Sequence, residues 1–282
     1  MSDRLDVRKT YKLLVGGAFP RSESGRSYEV ASAAGEFFAN VAQGSRKDVR
    51  DAVVAARAAQ SKWWSQSAYN RGQVIYRLAE MAESRRDELL EHVRRSEGLA
   101  PKAAAASVTR AIDRIVWYAG WTDKIAQIAG SSNPVAGPFF NFSVPVPSGV
   151  VAVICDQLSS LEGFVEGVLA PICVGNAVVA LASESRPTPA ILLGEMTATA
   201  DFPGGVLNVV TGYIGELAPV LAAHEDVDGI DLTGVDEGFG DELAASAAGS
   251  IKRVLRPREG DTTLRRLRAF LETSTVWHTV GQ

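Results

Sequence analysis

The sequence predicts an α/β fold: a Rossmann-like, doubly wound parallel sheet with N-terminal helices and a small β arm. Three observations carry this. From Gly149 onward four short apolar runs follow one another, Val150 to Ile154, Ala177 to Leu181, Val206 to Val210 and Ile230 to Leu232, without the polar alternation of a half-exposed strand. Strands buried on both faces read this way. The stretches between them, 161–174, 189–200 and 215–223, are each about the length of a crossover helix, which implies right-handed parallel connections. Upstream of Gly149, apolar residues recur at the helical spacing of three and four.

In chain order, an extended lead-in runs from Tyr11 to Val41. Ser45 and Asp48 form a capping-box pattern, and Val49, Ala52, Val53, Ala56, Ala59 and Trp63 then share one helix face. A second helix is expected from Asn70 to Arg95 with Ile75, Leu78, Ala82 and Leu89 inward. A third is expected from Ala104 to Ala129, with Gly130 as its stop. Two segments fall outside the parallel sheet. Phe140 to Pro147 alternates, and its prolines predict an edge strand or two-stranded arm; Thr275 to Val280 reads as a strand without a crossover. Both are candidates for pairing with another chain.

At roughly 150 residues per domain, 282 residues suggest about two domains, or one large α/β domain with an accessory piece, and 46% hydrophobic with 22% charged residues excludes disordered and fibrous classes. The net charge of −4 gives no global case for nucleic acid or an anionic membrane. Cys155 and Cys173 both lie in apolar runs, which predicts free thiols in a reducing compartment. His92, His224 and His278 have no partner at metal-ligand spacing, so no metal is expected. The N-terminus is charged and leads into no apolar core, and no later run reaches membrane-spanning length; a cytoplasmic location is the expectation.

Gly204-Gly205-Val206-Leu207-Asn208-Val209-Val210-Thr211-Gly212 resembles the P-P-G-V-L-N-V-V-T-G signature of the NAD-dependent aldehyde dehydrogenase superfamily. Gly175-Asn176 through Ser183-Glu184 resembles its G-N-x-V-V-x-K-P-S-E. Weaker likenesses at Gly16-Gly17, in the N-terminal helices, at the Phe140 segment and at Leu232-Thr233-Gly234 (for F-T-G-S) extend it over most of the chain. The resemblance implies a dinucleotide crevice holding Glu184, Gly212, Gly215 and Gly234 as cofactor-binding residues.

The departures are informative. Counted back from Asn176, the family's P-W-N falls on Asp156-Gln157-Leu158, which removes the oxyanion amide. The ribose-binding Lys aligns with Leu181 and the pyrophosphate-binding Ser with Val235, while Pro257-Arg258-Glu259-Gly260 stands where E-L-G-G carries the general base. Instead of a domain with the nucleophilic Cys, the chain then runs through Leu264 and Leu267 to Phe270 and Val276-Trp277, which resembles the family's extreme C-terminus. The expected organisation is 1–131 with 149–260 as the dinucleotide-binding-type domain, 132–148 with 261–282 as the oligomerisation arm, and no catalytic domain. A two-part branch, the sixteenth family, carries such a non-catalytic pseudo-domain as its C-terminal half, and this chain resembles that half as a separate chain.

The resulting expectation is a catalytically inactive subunit, with no catalytic residues, that assembles with a catalytic aldehyde dehydrogenase through Phe140, Phe142, Val276 and Trp277, with a homodimer as a further option. Losing several polar contacts at about 1 kcal/mol each predicts either no cofactor or NAD held weakly. The alternatives are an oxidoreductase active on its own around Cys155, Asp156 and Glu162, and a nucleotide-sensing module. Cys155 has no base or cation nearby in sequence to activate it, and Glu162 with Glu166, at i and i+4, read as a solvated helix face. Seven basic residues between Lys252 and Arg268 against Glu259 and Asp261 give a local +5. Without interleaved aromatics they predict an acidic protein partner and not nucleic acid.

Overall fold

The computed structural model describes residues 8–256 and 263–280. The lead-in folds into β1 (Thr10–Tyr11), β2 (Ser27–Ala31) and β3 (Phe37–Ala42), a three-stranded sheet in the order β1-β3-β2. Helix α1 (Arg46–Trp64) starts at the expected capping box: the Ser45 hydroxyl accepts from Lys47 N and Asp48 N, and Asp48 Oδ2 accepts from Ser45 N at 2.8 Å. The second expected helix is two, α2 (Ala68–Ser84) and α3 (Arg86–Glu97), and the third is likewise two, α4 (Pro101–Trp121) and α5 (Ile125–Ala129). Both breaks have the same local cause. The Ser84 hydroxyl donates to Met81 O and the Thr122 hydroxyl to Ala119 O, so side chains compete with the helical ladder where it stops. Gly130 closes α5 as expected.

The main sheet is parallel throughout: β6 (Val150–Ile154), β7 (Ala177–Leu181), β8 (Leu207–Val210), β9 (Gly229–Asp231) and β10 (Arg253–Leu255), in the order β10-β9-β6-β7-β8. The crossovers α6 (Glu162–Cys173), α7 (Thr188–Thr197), α8 (Ile214–Ala223) and α9 (Glu237–Ala248) cover both faces. Alternate strand residues divide between two cores. Val151, Val153, Val178 and Ala180 pack with Leu169, Ile115 and Leu78; Val150, Ala152, Ile154 and Val179 pack with Val53, Leu217 and Leu243. Because β7 and β9 lie on opposite sides of β6, the strand order reverses there, which opens a crevice at the carboxyl ends of the strands. Among the described residues no helix is long and apolar enough to cross a membrane.

β4 (Ser131–Asn133), β5 (Phe139–Pro147) and β11 (Leu271–Thr279) form a three-stranded antiparallel sheet with β5 in the middle. The two arm segments pair with each other, from Leu271 opposite Pro147 to Thr279 opposite Phe139. Ser148 N donates to Phe270 O and Val280 N to Pro138 O, so bonded pairs fall on even positions of β5. Pro145 and Pro147 occupy non-bonded positions towards β11, and β4 pairs only with residues 141–143, so neither proline lacks a needed donor.

Between the main sheet and β11 lies α10 (Thr263–Ala269). Asn176 stitches this join to the core: Nδ2 donates to Phe270 O and Pro171 O, while Oδ1 accepts from Gly149 N at 2.8 Å. Three residues of the basic stretch are paired with carboxylates of the chain itself. Arg253 forks onto Glu272, Arg256 pairs with Asp241, and Arg266 pairs with Asp231. Pro257, Arg258, Glu259, Gly260 and Asp261 lie outside the described residues.

Candidate functional site

The crevice encloses about 820 Å³ and is built from the loops that leave β6, β7, β8 and β9. After β6, Cys155 is buried and Asp156 Oδ1 accepts from Leu158 N (2.7 Å) and Ser159 N (3.0 Å), an Asx-type turn that pushes Leu158 outward to 71% exposure at the crevice wall. Gln157 faces the neighbouring loop: its Oε1 accepts from Glu184 N at 2.9 Å and its Nε2 donates to Cys155 O. After β7, Glu184 Oε2 accepts from Ile214 N at 3.0 Å, and Tyr28 OH donates to Glu184 O at 3.1 Å. After β9, Asp236 caps α9 by accepting from Phe239 N at 3.0 Å.

Of the four expected cofactor-binding residues, Glu184, Gly215 and Gly234 line the crevice together, whereas Gly212 is not part of the described lining. Gly212 serves the turn after β8: its φ of +147° suits glycine, and a Cβ would press on Leu217 Cδ1 at 2.9 Å. At Gly234 a Cβ would overlap the carbonyl oxygen of Cys155, so glycine lets the β9 loop lie against the β6 loop. Sequence reasoning missed Asp236 and Phe239, which stand on a helix it did not foresee, and the role of Ile214 N.

Cys155 and Cys173 are free and buried, and burial pushes both thiols up, with Asp231 and Asp156 adding to the effect at Cys155. Neither is placed as a nucleophile at pH 7. Glu162 and Glu166 do not form a solvated face. They point to α4, where Arg110 Nη2 meets Glu162 Oε1 and Arg114 Nε meets Glu166 Oε1, each at 2.7 Å, and Tyr118 OH donates to Glu166 Oε2 at 2.6 Å. Burial raises the Glu162 carboxyl, but hydrogen bonds from Arg110 and Ser107 and the charges of Arg110 and Arg114 leave it below the usual range. Such a carboxylate is a poor general acid. Among the described residues no group of three or more His, Cys, Asp or Glu is placed to hold a metal ion.

The profile of the Aldehyde dehydrogenase family matches residues 19–262. The putative aldehyde dehydrogenase DhaS of Bacillus subtilis is 33% identical over 252 residues, which cover 88% of this chain and 50% of that protein. Human retinal dehydrogenase 2 is 33% identical over 258 residues, covering 89% and 48%. Among solved structures, the NAD+ complex of an aldehyde dehydrogenase from Bacillus cereus superposes with a TM-score of 0.83 at 27% identity, covering 87% of this chain and 50% of that one. An NAD-dependent aldehyde dehydrogenase from Sinorhizobium meliloti gives 0.83 at 29%, covering 88% and 50%. The chain thus spans about half the length of the relatives it matches. With the profile over most of its length and the parallel sheet, crossovers and signature turns all in place, the chain belongs to the aldehyde dehydrogenase family.

Proposed function

We propose that this chain is a catalytically silent member of the family that assembles with a catalytic aldehyde dehydrogenase, the partner carrying NAD-dependent aldehyde oxidation. The observation that carries the reading is the contrast between Leu158 and the arm. At the crevice stands an exposed leucine where acyl chemistry needs an amide donor, while Phe140, Phe142, Val144, Val146 and Val276 line up on one face of the arm sheet by strand alternation. Trp277, on the opposite face, packs edge-on against Phe139 and is still 61% exposed. Exposed aromatic strands of this kind favour association.

The finer parts of the proposal follow. The domain division is 1–131 with 149–260, and 132–148 with 261–282, as in the pseudo-domain of the two-part branch. NAD is bound weakly or not at all. The two free, buried cysteines support a reducing, cytoplasmic compartment.

The test is affinity capture of the tagged chain from its native cell with mass-spectrometric identification, beside sedimentation of the purified chain. The expected result is an aldehyde dehydrogenase recovered in stoichiometric amount. A purified chain that stays a stable monomer and recovers no dehydrogenase overturns the proposal, and so does aldehyde-dependent NADH formation by the chain alone that Cys155→Ala abolishes.

A further inference from the structure

The family implies a nicotinamide dinucleotide at the carboxyl ends of β6 to β9, and the residues there can be tested against its chemistry. A pyrophosphate needs backbone N–H groups at a helix N-terminus or cationic side chains near them. In this chain one first-turn N–H at each helix end beside the crevice is already taken by a carboxylate. Ile214 N, the first N–H of α8, donates to the Glu184 carboxylate at 3.0 Å, and Phe239 N in the first turn of α9 donates to the Asp236 carboxylate at 3.0 Å.

The backbone that carries the Glu184 side chain is fixed. Its N–H is held by Gln157 Oε1 at 2.9 Å and its carbonyl by Tyr28 OH at 3.1 Å, so two loops and β2 fix the backbone from which the carboxylate reaches Ile214. With Asp156, three carboxylates line the crevice and, among the described residues, no Lys or Arg does; two guanidinium groups reach its wall, Arg186 donating to Leu158 O at 2.7 Å and Arg266 to Thr233 Oγ1 at 2.8 Å, the latter also paired with Asp231. Leu181 and Val235 stand where the resemblance implied a cation and a hydroxyl. The residues present do not fit a dinucleotide.

We infer that the chain has closed this crevice to dinucleotides with its own carboxylates: Glu184, the residue expected to hold a ribose, acts as the cap of α8, and Asp236 as the cap of α9. The inference deepens the reading of a non-catalytic subunit with little or no NAD affinity by naming the groups that exclude it. The charge of half-buried Glu184, with that of exposed Asp236, weakens pyrophosphate binding by about tenfold, over and above the contacts missing at Leu181 and Val235.

The probes are NAD+, ADP-ribose and inorganic pyrophosphate, read by thermal melting and isothermal calorimetry on the full chain. The wild-type chain is expected to show no saturable shift up to millimolar concentration. In Glu184→Gln with Asp236→Asn, both side chains keep a cap-accepting oxygen but lose the charge, and ADP-ribose is expected to bind at least about tenfold more tightly than to wild type. Should the double variant not fold, Glu184→Gln and Asp236→Asn are measured singly, each expected to bind ADP-ribose more tightly than wild type. Saturable wild-type binding of NAD+ or ADP-ribose at or below about 1 mM overturns the inference, as does a folded neutral variant that binds no better. Because capture of a dehydrogenase is read separately, NAD+ binding by a chain that still recovers its partner refutes this inference and leaves the assembly proposal standing.

Discussion

Arg266 donates from Nη1 to Asp231 Oδ2 at 2.6 Å, and the two side chains are 13% and 1% exposed, so a helix next to the arm is tied to the end of β9 by an ion pair inside the protein. Arg266 Nη2 also donates to Thr233 Oγ1 at 2.8 Å, and Thr233 in turn bonds Asp231 Oδ1 through both its N–H and its hydroxyl. Burial pushes the Asp231 carboxyl up, against the pull of Arg266 and Thr233. Removing one partner strands the other charge without water. Arg266→Met is therefore expected to cost about 3–5 kcal/mol and to raise hydrogen exchange across β11. A loss under about 1 kcal/mol in urea melts, with β11 still protected, would mean that Asn176 and Phe270 suffice to hold the join.

Acid stability should depend on Glu162. Its folded-state pKa lies below the ordinary 4.5, so its contribution is fully present above that value and is lost as pH falls through the folded value. Glu162→Gln is expected to flatten the acid limb of the stability curve below pH 4.5 and to cost about 0.2–1 kcal/mol at pH 7, as a half-exposed pair does. Asp231 has the opposite sign: with its folded pKa raised above 3.8, its contribution is present below that value and declines as pH rises through the folded one. Asp231→Asn should therefore steepen the gain of stability with pH just above 3.8, and urea melts across pH 3 to 7 would check both slopes.

Both thiols should be silent in the native protein. Cys155 and Cys173 are buried and their thiols are pushed up, so a thiol-specific disulfide reagent at pH 8 is expected to titrate neither until denaturant is added, and then both. Rapid native reaction of one thiol would locate an opening in the β6 loop or at the end of α6.

Gly234→Ala is expected to destabilise by about 1–3 kcal/mol, the usual cost of overpacking, because its Cβ meets backbone at Cys155 and Ile154 and not the end of a side chain that could turn away. Gly215 has nothing within reach of a Cβ, so Gly215→Ala should lie within about 0.5 kcal/mol of wild type, as surface changes do. Equal losses at the two sites in urea melts would count against the loop contact.

What could be read from the sequence follows from which forces are local. The strands from Val150 and Ala177 were legible because burial on both faces leaves an unbroken apolar run, and those from Leu207 and Gly229 because one polar residue each, Asn208 and Asp231, is all that interrupts theirs. β10 was hidden because Val254 and Leu255 are two apolar residues in a stretch of charges. The breaks at Ser84 and Thr122 turn on one hydroxyl each, which periodicity over a long window averages away. The pairing of β5 with β11 depends on a register between residues more than 120 positions apart, so two strands that looked unpartnered were each other's partner. Glu184 was recognisable as a site residue from its motif, but its engagement with Ile214 N needs the β7 and β8 loops side by side, and only the fold brings them there.

The arm remains the place where structure and assembly can be separated. Trp277 touches Phe139 edge-on at 5.8 Å between centroids, and Phe140 is 49% exposed, so neither side chain carries much of the chain's own stability. Phe140→Glu with Trp277→Glu should leave the melting temperature within about 3 °C of wild type, since exposed substitutions cost little, because the strand pairing and the Ser143 to Thr275 hydroxyl contact are kept. The same variant should lose partner capture at least tenfold, about 1.4 kcal/mol, because a partner covering either face of the arm would bury an unpaired carboxylate. If capture is unchanged while melting falls by many degrees, the ring contacts Phe139–Trp277 and Phe140–Phe142 hold the arm itself and the partner docks elsewhere.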